Sequence, residues 1–142
     1  MKLTQEQKDK ICKLARQGAS IGIPYLFGAK AEGINDIAKI KSIDCSGWIC
    51  WLLSQVGVNE IEGSINEFQN SNPVSEAFSE VGDLIFKLNI QENKIDHVGI
   101  VIDGGWVSES EAWVGNVIIR RLIDFKKENS THKYAGMREL KG

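Results

Sequence analysis

Asp44-Cys45-Ser46-Gly47 stands directly ahead of an almost unbroken apolar run, Trp48-Ile49-Cys50-Trp51-Leu52-Leu53 with Val56 beyond it. That pattern puts a thiol at the opening of a buried helix. An aspartate at the N-cap accepts from the unpaired amides of the first turn. Cys45 then becomes the first helical residue, beside free N–H groups and the positive end of the helix dipole. Such surroundings favour thiolate over thiol and make a nucleophile. Further along, Asp96-His97-Val98-Gly99-Ile100-Val101-Ile102 supplies an imidazole at the head of a strand. A thiol in contact with an imidazole forms an ion pair, in which the histidine takes the proton and later returns it to a leaving amine. The plain alternative is a packed thiol and a core histidine. A helix-opening cysteine joined to a strand-borne histidine favours catalysis.

The rest of a site can be read around that pair. In a strand, His97 shares a face with Gly99 and Val101, while Val98, Ile100 and Ile102 face the other way. Gly99 leaves room for something bulky, which suits the helix N-terminus carrying Cys45. The imidazole needs a partner that fixes its tautomer. Asp103-Gly104-Gly105 is a hairpin signal, so Trp106 onward runs back along His97–Ile102. Glu109 and Glu111 share one face of that returning strand, and either carboxylate can accept from the ring. Asp96 points to the opposite face. Tyr25, held by Pro24, can donate to an oxyanion together with the backbone N–H of Cys45, or can be a half-buried core tyrosine. Ser46, next to the nucleophile, belongs with Tyr25 on the oxyanion and substrate side.

These residues need elements to hold them. Thr4 and Gln7 form a capping box that opens a helix to Gln17, and Gly18 ends it. Ile23 to Gly28 is a short apolar segment between breakers, and residues 29–43 read as a surface loop leading to Asp44. The central helix runs from Cys45 to Val56 and closes at Gly57. Glu62 to Asn70 forms a short helix. After Pro73 the pattern turns to strands at 82–86, 97–102, 106–111, 116–122 and 134–140, with a polar loop over 89–94. Helices first and an antiparallel meander after them define an α+β fold, with the helices packed on one face of the sheet.

Composition narrows the classes. The chain has 142 residues, 42% of them hydrophobic, which suits a single domain over 1–142 that buries about two-thirds of its unfolded surface. With 17 basic and 19 acidic residues well mixed, no block suits nucleic acid or an anionic membrane. The longest apolar stretch is far short of the ~20 residues that span a bilayer. The N-terminus turns polar at once, without a signal-peptide core. This suits action in the cytoplasm, export without a signal, or a signal already trimmed. Cys12 and Cys50 sit in apolar patterns and read as packed thiols. There is no CxxC pair, and His97 and His132 are the only histidines, so no metal centre or organic cofactor is called for.

Taken in order, PYLFG (Pro24–Gly28), DCSGW (Asp44–Trp48), GDLIF (Gly82–Phe86), DHVGIVIDGG (Asp96–Gly105), VSES (Val107–Ser110) and GNVII (Gly115–Ile119) give the chain a family likeness. Over residues 5–122 it resembles the NlpC/P60 cell-wall peptidases, papain-like cysteine hydrolases. The resemblance implies a papain-like fold and hydrolysis, through a thioester, of an amide bond in a peptidoglycan stem peptide, typically between D-glutamate and diaminopimelate or lysine. It makes Cys45 the nucleophile, His97 the base and Tyr25 the tyrosine near the oxyanion. The family's third polar residue is often a histidine in the strand after the hairpin. Ungapped placement from His97 puts Glu109 there, and a two-residue shift puts Glu111 nearby. The expected partners are stem peptides alone, without nucleic acid or membrane insertion, and the expected state is a monomer. The polar N-terminus and the lack of a wall-binding repeat suggest a cytoplasmic product delivered to the cell wall, as a phage lysin, tail or conjugation component, or secreted effector. Two rivals are a catalytically silent module that holds wall peptides, and an amidase or acyltransferase on the same scaffold.

Overall fold

The computed structural model describes residues 2–141. Thr4 opens α1 (Gln5–Ile21) with the expected capping box: Gln7 N donates to Thr4 Oγ1 at 3.1 Å, and Thr4 N to Gln7 Oε1 at 2.8 Å. The helix does not stop at Gly18 as the sequence suggests. It runs one turn further and closes on Gly22, whose left-handed φ of 71° returns its amide to Gly18 O. Gly18 has a packing role instead, because a Cβ there would lie 2.5 Å from the Trp48 indole. Trp48 is fully buried, so it has little room to yield. Gly18→Ala should therefore destabilise the protein by about 1–3 kcal/mol through overpacking, read from the urea unfolding midpoint. A gain in stability from the better helix former would show that the two helices adjust freely.

The remaining α-helices among the described residues are α2 (Cys45–Ser54), α3 (Ser64–Gln69) and the one-turn α4 (Leu122–Phe125). Six strands form one antiparallel sheet: β1 (Ser71–Pro73), β2 (Leu84–Asn89), β3 (Lys94–Ile102), β4 (Trp106–Glu111), β5 (Asn116–Arg121) and β6 (His132–Leu140). Their order across the sheet is β1-β6-β2-β3-β4-β5. β1 is an addition to the reading from sequence, and as an edge strand it can accept Pro73 without breaking a central ladder. β2 and β3 also extend into the supposed polar loop, pairing up to Asn89 with Lys94.

Alternation along β3 divides the sheet as the periodicity requires. Val98, Ile100 and Ile102 join the large core beneath α1 and α2, with Trp48, Ile49 and Leu52. The opposite face carries a smaller apolar cluster of Ile85, Val101, Val107 and Met137 around Phe125 of α4. Helical cover is thus not confined to one face. Phe125 on the second face matters to the site.

The register of β3 with β4 also shapes the site. The two strands pair only through Ile100–Ile102 and Ser108–Trp106. β3 continues toward Lys94 on β2, and β4 continues to Glu111 on β5. Beyond Ile100 and Ser108 the two strands therefore part. The N-terminus of α2 meets that opening: Ser110 Oγ on β4 donates to Ile43 O at 2.9 Å, and Cys45 Sγ lies 3.8 Å from Asp96 O on β3. Buried Ser108 anchors the same helix by accepting from Trp48 Nε1 at 2.9 Å.

Candidate active site

Asp44 caps α2 as its residue type requires, accepting from Gly47 N at 2.7 Å. Its carboxylate also receives the Lys30 ammonium at 2.7 and 2.9 Å and the Gly28 amide at 3.2 Å. Lys30 reaches Ser46 Oγ at 3.0 Å as well. Burial works against the charge on Lys30, but its bonds to Asp44 and Glu62 win, and its pKa is raised. Ser46 is buried, with its hydroxyl engaged by Lys30 and Asp44. Its hydroxyl is thus engaged in the helix cap. Lys30 had no signal in the sequence beyond lying in the loop ahead of Asp44.

Cys45 begins α2 and is 8% exposed. It lies beside His97, which stands near the start of β3 at the opened strand pair. His97 Nε2 is 2.6 Å from Glu109 Oε1. An ionised carboxylate only accepts, so Nε2 carries the proton and Nδ1 is the nitrogen left for the thiol. Burial alone depresses the imidazole's pKa. Hydrogen bonds to Cys45 and Glu109, and the charges of both, outweigh it and push the value up to about 10.

Glu109 is fully buried. Burial raises its pKa, but His97 and Arg120 reverse this and hold it below the ordinary carboxylate value. Arg120 grips the carboxylate through Nε at 2.5 Å and Nη2 at 2.9 Å. Arg120 opposes Val107 on β4 and so shares the face of Glu109. Alternation in Asn116–Arg121 could have placed it there, once Glu109 was known to need a counter-charge. Of the two candidate glutamates, Glu109 reaches His97. Glu111 lines the cleft, and its Oε1 accepts from Trp113 N at 3.2 Å.

The space at Gly99 is used differently from the expectation. A Cβ there would lie 2.7 Å from Val107 Cγ1 and 3.1 Å from Phe125 Cε2. Gly99 therefore admits the second-face cluster, not α2. Phe125 in turn stacks on His97, with ring centroids 5.8 Å apart and planes 23° apart. The imidazole is held by a carboxylate at one ring edge and an aromatic face beneath it.

His97 opens into a cleft of about 600 Å³, lined also by Tyr25, Phe27, Lys87, Asp96, Trp113 and His132. Tyr25 stands beside Ile43 and its amide donates to Gly115 O at 2.8 Å. Burial first, then the nearby Cys45, Asp44 and Asp96, push its hydroxyl up to about 12. Among the described residues that hydroxyl makes no hydrogen bond, so it is free to donate. Asp96 turns from His97 to bind His132 Nε2 at 2.8 Å and Asn89 Nδ2 at 3.1 Å. The second histidine thus reaches the cleft from β6, over 30 residues away. Nothing local in the sequence announces that.

The other two cysteines lie outside the cleft. Burial raises the pKa of Cys12. Burial also raises that of Cys50, reinforced by buried Glu67, whose Oε2 lies 3.3 Å from its sulfur. Among the described residues no group of three or more His, Cys, Asp or Glu is placed to hold a metal ion. None of the described helices is long and apolar enough to cross a membrane.

A helix-borne cysteine thus meets a strand-borne, carboxylate-bound histidine where two interior strands of an antiparallel sheet part. The chain belongs to the NlpC/P60 family, which it matches over residues 22–135. Among curated relatives, a probable endopeptidase p60 of Listeria grayi is 33% identical over 91 residues, covering 64% of this chain and 16% of that protein. The peptidoglycan endopeptidase RipB of Mycobacterium tuberculosis is 26% identical over 111 residues, covering 75% and 45%. The chain thus spans less than half the length of either relative. Among solved structures, an NLP/P60 family protein similar to lipoprotein, from Staphylococcus aureus, superposes with a TM-score of 0.76 at 20% identity, covering 100% of this chain and 44% of the other. RipD of Mycobacterium tuberculosis, described as a non-catalytic NlpC/p60 domain protein adapted to peptidoglycan binding, gives 0.70 at 16% identity, covering 97% and 100%. These two likenesses speak for the fold.

Proposed function

We propose that this protein is a cysteine hydrolase that cleaves an amide bond in peptidoglycan stem peptides, with Cys45 as nucleophile, His97 as base and acid, and Glu109 as the group that orients His97. The observation that carries this reading is the His97–Glu109 bond at 2.6 Å beside a cysteine at the start of α2. Cys45 as thiolate attacks the scissile carbonyl. The oxyanion is held by the Cys45 amide and the Tyr25 hydroxyl. Collapse forms the thioester as the C–N bond breaks, and the leaving amine takes the proton from His97. Water, deprotonated by His97, then attacks the thioester, releasing the new carboxylate and restoring the thiol. Glu109, neutralised on its other side by Arg120, favours the imidazolium throughout. The names of the relatives support peptidoglycan as substrate, and the bond between D-glutamate and diaminopimelate or lysine is the one the family resemblance implies.

Purified peptidoglycan digested with the protein should yield new amino termini, identified by mass spectrometry, which also name the bond. Unchanged peptidoglycan would remove the hydrolase reading. One alternative is a module that binds wall peptides without cleaving them, as RipD is described to do on the same fold. That reading requires co-sedimentation with peptidoglycan and no new termini. The presence of Cys45, His97 and Glu109 together supports cleavage.

Thiol reactivity gives an independent check. Iodoacetamide should label Cys45 ahead of Cys12 and Cys50 below about pH 8, because Cys45 alone sits at a helix opening beside a base. Burial holds the other two in the thiol form. Equal labelling of all three in the folded protein would count against the site.

A further inference from the structure

Lys87 is a buried lysine without a partner. It is 6% exposed and lines the cleft with His97 and Arg120. Among the described residues its ammonium makes no hydrogen bond or ion pair, and its close contact is the Phe125 ring, 4.7 Å from the centroid. A buried charge is normally paired, because taking it from water costs several kcal/mol. Burial, with repulsion from Arg120, lowers the pKa of Lys87, against weaker support from Glu109 and Glu111. Glu109 is already committed to His97 and Arg120, and Glu111 to the Trp113 amide. Arg120 lies on the same Phe125 ring, 5.2 Å from its centroid, and its Nη1 makes no hydrogen bond among the described residues. Asp96 and Glu111 also line the cleft, but neither is paired with Lys87, whose buried ammonium faces the cleft without an anionic partner among the described residues.

Its place in the sheet says which part of a substrate it would meet. Lys87 stands directly across from His97 on β2, whereas α2 delivers Cys45 at the opening between β3 and β4. The ammonium therefore lies past the imidazole from the sulfur. His97 protonates the leaving amine, so the residue contributing that amine lies on the same side.

We propose that Lys87, assisted by Arg120, is a carboxylate subsite that selects substrates whose amine-side residue carries a side-chain carboxylate, as diaminopimelate does and lysine does not. This rests on the hydrolase reading above and adds the choice between the two peptide classes. A bound carboxylate completes the pairing of a buried cation. Lysine offers only its ammonium there, whereas diaminopimelate carries the same ammonium together with the carboxylate that pairs the cation.

The test compares two stem tripeptides, L-Ala-γ-D-Glu-meso-diaminopimelate and L-Ala-γ-D-Glu-L-Lys, on the whole chain. Wild type should cleave the first with kcat/KM higher by roughly tenfold or more, as one charge-assisted hydrogen bond allows. In Lys87→Met, which keeps an unbranched apolar stem and removes the ammonium, that ratio should collapse toward one, mainly through KM. Equal cleavage of both peptides by wild type, or an undiminished ratio in the variant, would overturn the subsite while leaving the hydrolase reading intact. Calorimetric binding to Cys45→Ala, with and without Lys87→Met, separates the two proposals. Tighter binding of the diaminopimelate peptide that depends on Lys87 supports the subsite even where turnover is absent. Equal affinity for the two peptides, or binding of neither, overturns it. A thermal melt of Lys87→Met near that of wild type secures the comparison.

Discussion

Cys45→Ala should abolish hydrolysis, by a factor on the order of 10⁴–10⁶ as for other covalent catalysts that lose their nucleophile, and leave the fold in place. The fold survives because the helix cap is made by Asp44, Lys30 and Gly47, none of which needs the thiol. A second consequence can be read without substrate. The raised pKa of His97, about 10 against an ordinary 6.5, owes part of its rise to Cys45. Removing the sulfur should move the imidazole titration to lower pH, as followed by NMR of the ring protons. Turnover that survives the substitution would transfer the chemistry elsewhere. An unmoved titration would show that the two side chains do not interact.

The other large effect is expected at Glu109. Glu109→Gln keeps a hydrogen-bond acceptor but deletes the charge that His97 and Arg120 share. Activity should fall, and the alkaline limb of the rate profile should shift down by about one to two pH units, the equivalent of a charge-assisted hydrogen bond. The sign follows from the direction of the shift: without the carboxylate, His97 gives up its proton more readily. Glu111→Gln should leave that limb in place. If the two variants exchange behaviour, the orienting carboxylate is Glu111. If neither moves the limb, His97 and Cys45 act as a pair alone.

Stability should move as well. Removing the buried charge leaves Arg120 without its partner, a loss of about 3 kcal/mol, at the lower end for broken buried pairs because Arg120 is partly exposed. The pH dependence has two sides. His97 has a folded pKa above its ordinary 6.5, so its contribution is full below that value and disappears as pH rises through about 10. Glu109 has a folded pKa below its ordinary 4.5, so its contribution is present above 4.5 and is lost on acidification through the folded value. Urea midpoints across the pH range should show both slopes in wild type; Glu109→Gln should lose the acid one and bring the alkaline one to lower pH, because Cys45 still raises His97.

Several parts of this arrangement were legible in the sequence because their causes are local. Asp44 as cap, Cys45 as first helical residue, the Thr4–Gln7 capping box and the Asp103–Gly105 hairpin depend on neighbours a few residues away. The two faces of β3 follow from alternation. Gly18 misled the reading because a glycine's helix-ending tendency is local, whereas its reason for being there, the Trp48 ring, comes from another helix. Gly99 was rightly read as making space, but the occupant, Phe125, belongs to a one-turn helix on the far face.

The sequence by itself determined the family, the order of elements, the cysteine–histidine pair and a choice of two glutamates on one strand face. Tertiary structure decided the rest. The parting of β3 and β4 beyond Ile100 and Ser108 lets α2 bring its N-terminus to His97, and the packing of β4 on β5 sets Arg120 against Glu109. The same folding set Ser46 against Lys30, brought His132 to Asp96 and left Lys87 buried beside His97 without a counter-charge. Periodicity fixes which face a side chain takes, because it follows from backbone geometry alone. Which charges meet on that face depends on strand order and register, and these are set by the burial of the whole core.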